Sequence, residues 1–232
     1  MAMAGMWAWL LDLVFPKSCL GCGAEGEFVC APCSRAVVFR APQCLVCSRR
    51  NFDGILCSTC REKSSLRRFL APFSYGEPLI RDLIHAYKYE GVRELKAFFA
   101  DEILAFLNFY SIRPRAESVV VPIPLHRSRE RQRGFNQAVL LAEELARRMN
   151  LAVLPMLSRR RATEQQIDMA SYAKRRENIA GAFAVTDPAA VLGHTVILID
   201  DVATSGATLS EAAQTLRQAG ARSVWAIAIA KG

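Results

Sequence analysis

Beyond residue 60 this chain of 232 residues contains no cysteine, and over its whole length it has three histidines. The first absence confines thiolate chemistry to the amino-terminal segment. The second leaves His85, His126 and His194, none of them in a nucleophile or metal-ligand pattern, so all three read as packing or surface residues. Uninterrupted apolar runs of roughly 18–20 residues, the length a bilayer-spanning helix needs, are also missing, which argues against an integral membrane protein. The segment up to Phe15 is apolar but lacks a basic leading region and a small-residue cleavage pattern before Cys19, so a secretory leader is not expected. Acid is scarce where base is abundant: residues 113–176 hold 14 Lys and Arg against 6 Asp and Glu, while residues 1–112 hold 13 against 11 and residues 177–232 hold 3 against 5. The formal net charge of +8 therefore sits in the middle stretch. There it is an electrostatic footprint for a polyanion, a phosphorylated metabolite or a nucleic-acid backbone, although a single Arg pair by itself reads as a solvated face.

What is present divides the chain in two. All eight cysteines form CxxC pairs, Cys19/Cys22, Cys30/Cys33, Cys44/Cys47 and Cys57/Cys60. One CxxC turn aims two thiolates at one point, and two such knuckles close a tetrahedral, all-sulfur zinc site, so four knuckles predict two structural zinc ions. Gly21, Gly23, Gly26 and Gly54 suit the turns between them. A disulfide framework is the alternative, but without a leader the spacing favours zinc in a reducing, cytoplasmic compartment. Redox sensing would need a thiol left accessible by an incomplete site. Trp7, Leu10, Leu11, Val14 and Phe15 fall at helical spacing and predict a short helix over this module, which takes residues 1–65.

Residues 66–232 read as a second, α/β domain. Apolar residues at three-and-four spacing predict helices over 78–89 and 94–109, separated at Gly91. A β-branched run predicts a strand over 118–125, followed by a helix over 136–149 and shorter strands over 151–157 and 181–185. The last part is a βαβ unit that implies a parallel sheet: strand 195–199, helix 209–218 capped by Gly220, strand 223–230. Between the first strand and the helix stand Asp200 and Asp201, then Ala203, Thr204, Ser205, Gly206, Ala207 and Thr208. A buried parallel strand delivers its last side chains to the carboxyl edge of the sheet, where open α/β sheets bind ligands. Backbone N–H groups converging before a helix N-terminus favour a phosphate, and paired carboxylates accept hydrogen bonds from sugar hydroxyls. Together they predict a ribose 5-phosphate group as ligand. Either half alone could be a turn or an N-cap loop.

In this strand–loop–helix setting the stretch resembles the phosphoribosyl pyrophosphate (PRPP) motif of type I phosphoribosyltransferases. Upstream, Val121-Pro122-Ile123-Pro124-Leu125-His126 followed by Arg127, Arg129, Arg131 and Arg133-Gly134-Phe135-Asn136-Gln137 resembles the Arg-rich signature of the ComF family. Ala162-Thr163-Glu164-Gln165-Gln166, the stretch from Lys174 to Phe183, and Leu83 to Gly91 are similar to that family's hood and helical segment. The resemblance implies a type I phosphoribosyltransferase-like parallel sheet flanked by helices, behind a double zinc ribbon. It implies Asp200 and Asp201 on the ribose hydroxyls, Mg²⁺ between sugar and pyrophosphate, and Ala203 to Thr208 on the 5-phosphate. It also implies Arg127, Arg129, Arg133 and Lys88 on the pyrophosphate, with Arg131 turned to solvent. Thr204 stands where purine-salvage members carry an acid, and the hood, residues 158–178, is polar and Arg-rich; Tyr172 and Phe183 are the aromatic candidates to clamp a base, with Phe183 expected in the core. The sugar-phosphate half of a transferase site is therefore clearer than the acceptor half. Two functions follow: transfer of phosphoribose from PRPP to an acceptor, or a DNA-uptake accessory of natural transformation. The accessory would bind single-stranded DNA through Arg159, Arg160, Arg161, Arg175 and Arg176 and dock partners such as a helicase through the zinc module.

Overall fold

The computed structural model describes residues 16–62, 64–161 and 177–232. The helix expected around Trp7 to Phe15, and the hood residues Tyr172, Arg175 and Arg176, lie outside the described residues.

The core is a six-stranded, all-parallel sheet. Its strands are β1 (Arg68–Leu70), β2 (Phe73–Ser74), β3 (Val119–Pro122), β4 (Ala152–Val153), β7 (Thr195–Ala203) and β8 (Ser223–Lys231). Their order is β1, β8, β7, β3, β4, with β2 continuing the β1 edge along β8. Parallel strands buried on both faces need near-continuous apolar sequence, and Thr195 to Ile199 and Val224 to Ile229 supply it. Strand alternation sorts these residues onto two faces. Val196, Leu198, Val224 and Ala226 point into one core, Ile197, Ile199, Ile227 and Ile229 into the other.

The second of these cores is closed by three helices, α3 (Pro78–Tyr89), α4 (Leu95–Phe109) and α6 (Gln137–Met149), which present Ile80, Leu83, Phe99, Ile103, Leu141 and Leu145. The first is closed by α7 (Ala207–Gln218) through Leu209, Ala212, Ala213 and Leu216, joined by residues of the cysteine-rich segment, Cys44, Leu45, Leu56 and Cys60. That segment, which contains α1 (Ala31–Ala36) and α2 (Ser58–Arg61), straddles the β1 edge of the sheet. Its first half lays Phe28, Val29, Val37 and Phe39 against the α3/α4 face, and its second half lies on the α7 face. Leu56 N–H donates to Arg67 O (3.0 Å) and Phe69 N–H to Gly54 O (2.9 Å), so the edge is covered rather than open to another chain. A second, two-stranded antiparallel sheet pairs β5 (Leu157–Arg159) with β6 (Phe183–Val185).

Three expectations are corrected, and one helix is added. The strand expected over 195–199 runs on to Ala203, because pairing with β8 continues through Asp200↔Ala228 and Ala203↔Lys231. The stretch 151–157 splits into β4 and β5 around Pro155, which has no N–H to give a ladder. The last helix ends on Ala219 as C-cap, with Gly220 one residue beyond at φ +96°. A seven-residue helix, α5 (Arg127–Arg133), occupies the Arg-rich stretch: the His126 Nδ1 accepts from Ser128 N–H at its start, and Gly134, at φ +80°, ends it.

Candidate functional site and two cysteine clusters

The carboxyl ends of β3, β7 and β8, the start of α7, the end of α3 and the start of α6 meet at one edge of the sheet. Because Asp200 and Asp201 are still within β7, their side chains leave on opposite faces. Asp201, 5% exposed, turns toward the helices α3 and α6. Its Oδ1 lies 2.7 Å from Lys88 Nζ, and its Oδ2 accepts from Gln137 Nε2. Arg133 in turn donates to Gln137 Oε1 and lies 4.9 Å from the centre of the Tyr89 ring. Tyr87 donates its hydroxyl to Gln137 O at 2.9 Å, and burial, with the Asp201 charge second, pushes its phenol well up. A buried carboxylate thus has both oxygens engaged, and an arginine is coupled to it through one amide.

Asp200, partly buried, takes the other face and accepts from Asp201 N–H at 2.9 Å. Burial first and the Asp201 charge second push its carboxyl up to about 7, against the pull of Lys88 and Arg159. Arg159, on β5, stands over Phe183 with its guanidinium 5.6 Å from the ring centre, and burial lowers its affinity for the proton. Phe183 is buried, as expected. Of the arginines on α5, Arg129 and Arg133 are partly buried, four residues apart on one helix face, while Arg127 and Arg131 are exposed. Arg160 and Arg161 are exposed, and Arg161 donates to Asn178 O and Ala180 O.

After Ala203 the chain turns through Thr204, Ser205 and Gly206, the N-cap of α7, in the left-handed conformation at φ +76°. Ser205 Oγ accepts from Ala207 N–H at 3.4 Å. Lys231, 8% exposed at the end of β8, donates its ammonium to Thr204 O and Gly232 O, both at 2.6 Å, and so fastens the entry of the turn. Two residues here were not singled out in the sequence. Lys231 carried no signal there. Gln137 did, as the last residue of the Gly-Phe-Asn-Gln signature, but its contact with Asp201 needs the fold. The three histidines serve elsewhere: His126 caps α5, His85 meets Glu90 at 3.1 Å, and His194 meets Glu117 O at 3.1 Å.

The eight cysteines form two groups of four, Cys19/22/30/33 and Cys44/47/57/60, each with its sulfurs within 4.8 Å of one another and none in a disulfide. Sulfur separations of 3.6 Å (Cys22–Cys30), 3.7 Å (Cys47–Cys57) and 4.0 Å (Cys57–Cys44) match the edge of about 3.8 Å for a tetrahedron with zinc–sulfur bonds near 2.3 Å. Burial raises the Cys19 and Cys44 thiols, but backbone N–H groups turned on their sulfurs outweigh it and bring them down to about 6 and about 7. Cys33 and Cys60 are pushed up to about 12, chiefly by the neighbouring sulfurs of Cys30 and Cys57. Four sulfurs so close cannot all shed their protons unless a cation lies among them, and the donor set fits zinc.

Residues 10–61 match the family model of the double zinc ribbon domain, and residues 136–232 that of the phosphoribosyl transferase domain. The chain is 30% identical to competence protein ComFC of Bacillus subtilis over 84% of its length and 80% of that protein's. It is 30% identical to the DNA utilization protein YhgH of Salmonella typhimurium (84% and 87% covered) and 29% identical to competence protein F of Haemophilus influenzae (86% and 90%). Among solved structures, it resembles the glutamine PRPP amidotransferase of B. subtilis at 19% identity and a TM-score of 0.39, over 62% of this chain and 30% of that one. No helix among the described residues is long and apolar enough to cross a membrane. With its parallel sheet, double zinc ribbon and these relatives, the chain belongs to the ComF family.

Proposed function

We propose that the carboxyl edge of the sheet binds PRPP with Mg²⁺ and that the two four-cysteine clusters hold structural zinc. The observation that carries the first reading is the Lys88–Asp201–Gln137–Arg133 network beside the turn that opens α7. Cations already fixed by an acid pair suit a ligand that is an anion at one end and a polyol at the other. In this reading Asp200 and Asp201 meet the ribose hydroxyls, and Ala203, Thr204, Ser205, Gly206, Ala207 and Thr208 surround the 5-phosphate. Lys88, Arg129 and Arg133 face the pyrophosphate, with Arg127 further out. Mg²⁺, when bound, offsets charge between sugar and pyrophosphate, and the raised Asp200 carboxyl is a group that a nearby cation would return to its ionised form. Displacement of the pyrophosphate by an acceptor breaks one bond at the ribose C1 and forms another there; positive charge held at the leaving group favours it. Calorimetry with PRPP and Mg²⁺ should show binding to the wild type and its loss in Asp200→Asn/Asp201→Asn. Equal affinity for both proteins would end the reading.

A second reading, a role in handling single-stranded DNA, is supported by the names of the relatives and the excess of base in residues 113–176. Arg160 belongs to its candidate surface by exposure. Arg159 suits it less, being partly buried beside the acid pair.

A further inference from the structure

A cavity of about 840 Å³ lies away from the acid pair, along α7 and toward the amino ends of the sheet strands. One wall is the α7 stripe from Ala207 to Arg217, and the other is the stretch that leads from the second cysteine cluster into β1. Ser64 Oγ and Ser210 Oγ approach to 3.3 Å between these walls. Six arginines line it, Arg61, Arg67, Arg68, Arg115, Arg217 and Arg222, against two acids, Glu62 and Glu211. Glu211 is already bound to Gly181 N–H at 2.7 Å. Arg222 and Arg115 share Glu117 at 3.2 and 3.6 Å, and Arg217 donates to the carbonyls of Ala221 and Arg222. The Arg61 and Arg67 side chains are exposed and meet no carboxylate among the described residues. The cavity turns around the amino ends of the strands to the sheet face away from α7, where the Arg68 guanidinium stacks 4.3 Å from the centre of the Trp225 ring and lies 3.8 Å from the Asp53 carboxylate. The buried Arg68 Nε and Ser223 Oγ beside it have no hydrogen-bond partner among the described residues.

We infer that this groove is a binding site for single-stranded nucleic acid. The arginines supply the phosphate contacts, and the flat Arg68–Trp225 stack is a platform for an unpaired base. The two orphan polar atoms give that base or its sugar something to bond. A duplex keeps its base faces covered and would use the charge but not the platform. A single phosphorylated metabolite would leave most of the groove empty: α7, with 12 residues, gives it a wall of about 18 Å. The inference rests on the second reading above and moves its contact surface from the hood to the other end of the sheet. It does not depend on PRPP binding.

Fluorescence anisotropy of a labelled fifteen-residue oligothymidylate, at two salt concentrations, tests it on the full zinc-loaded chain. Arg61→Glu/Arg67→Glu should weaken binding at least tenfold and flatten its salt dependence, a larger loss than Arg160→Glu/Arg161→Glu produces. Arg115→Glu tests the same groove outside the cysteine-rich segment, and zinc content with melting temperature shows that each variant is folded. Trp225→Leu should weaken the oligonucleotide several-fold and leave inorganic polyphosphate, which has no bases, unaffected. If wild type does not bind the oligonucleotide, both the DNA reading and this site fall. If it binds but the Arg61/Arg67 variant binds equally well, only the site falls. If polyphosphate binds as tightly as the oligonucleotide and Trp225→Leu changes neither, the groove is a general anion surface and the inference is overturned.

Discussion

Leu45 packs against the bare Cα of Gly206: a Cβ built on that glycine would stand 2.6 Å from the Leu45 side chain. Leu45 is 2% exposed and follows Cys44, a member of the second cysteine cluster, while Gly206 is the turn before α7. The cysteine-rich segment therefore does more than cover a sheet edge. It presses one side chain onto the loop proposed to hold a phosphate, at a position where only glycine combines the space with a φ of +76°.

A double-mutant cycle measures that contact. Leu45→Ala should cost about 2–5 kcal/mol, as deletion of a buried leucine does. Gly206→Ala should also destabilise, through the clash and the left-handed backbone. In the double variant the vacated space accepts the new methyl group, so its loss, read from denaturant melts, should be smaller than the sum of the two. Additive losses would mean that the two residues do not share one space.

Asp200 predicts a pH-dependent trade of stability against binding. Its carboxyl, ordinarily at 3.8, is pushed up to about 7, by burial first and Asp201 second. When the folded value lies above the unfolded one, the contribution to stability is intact below about pH 4 and is lost as pH rises toward 7, because the unfolded chain sheds the proton first. Asp200→Asn should therefore raise the melting temperature at pH 7.5, with the gain shrinking toward zero at pH 4, and should lose PRPP affinity at both. An equal gain at the two pH values would assign it to something other than this proton.

These residues also show where sequence reading stops. The helices α3, α4 and α6 announce themselves by apolar spacing, and so do the inner strands by their β-branched runs. β1 and β2 do not: three and two residues are too few for a period, and they are strands because β8 offers them an edge. α5 has no apolar residue to mark it and depends on caps at His126 and Gly134. Adjacent acids read as a loop, yet pairing with β8 carries the strand through both of them and parts their side chains. The motif was readable because it is contiguous. Gln137, Lys88 and Lys231 reach it from three other elements, and which of them touch it is set by packing alone.

The Lys88–Asp201 pair makes the next prediction. Both side chains are largely buried, and the ammonium lies 2.7 Å from Oδ1. Lys88→Met leaves an unpaired buried carboxylate and should cost about 3–5 kcal/mol, whereas Lys88→Met/Asp201→Asn removes both charges and should recover most of the loss. Gln137→Leu, by contrast, cuts Arg133 off from Asp201 while both charges of the pair remain. It should lower PRPP affinity about tenfold, equivalent to about 1.4 kcal/mol. A double variant no more stable than Lys88→Met would show that the pair is not coupled.

Loss of a single cysteine should have different consequences in the two clusters. Cys22→Ser and Cys47→Ser each remove one exposed sulfur, and each should lower zinc from two equivalents per chain to one by metal analysis. The first cluster belongs to the half of the segment that faces α4, where Ser34 Oγ donates to Glu102 Oε1 at 3.0 Å and Lys17 meets Glu94 at 3.0 Å. The second holds Leu45 on Gly206. Cys47→Ser should therefore speed hydrogen exchange in the turn 204–208 and weaken PRPP binding, whereas Cys22→Ser should speed exchange at the start of α4 and leave that turn protected. If both substitutions left the turn equally protected, the second zinc site would have no hold on the loop, and Leu45 would be an ordinary core contact.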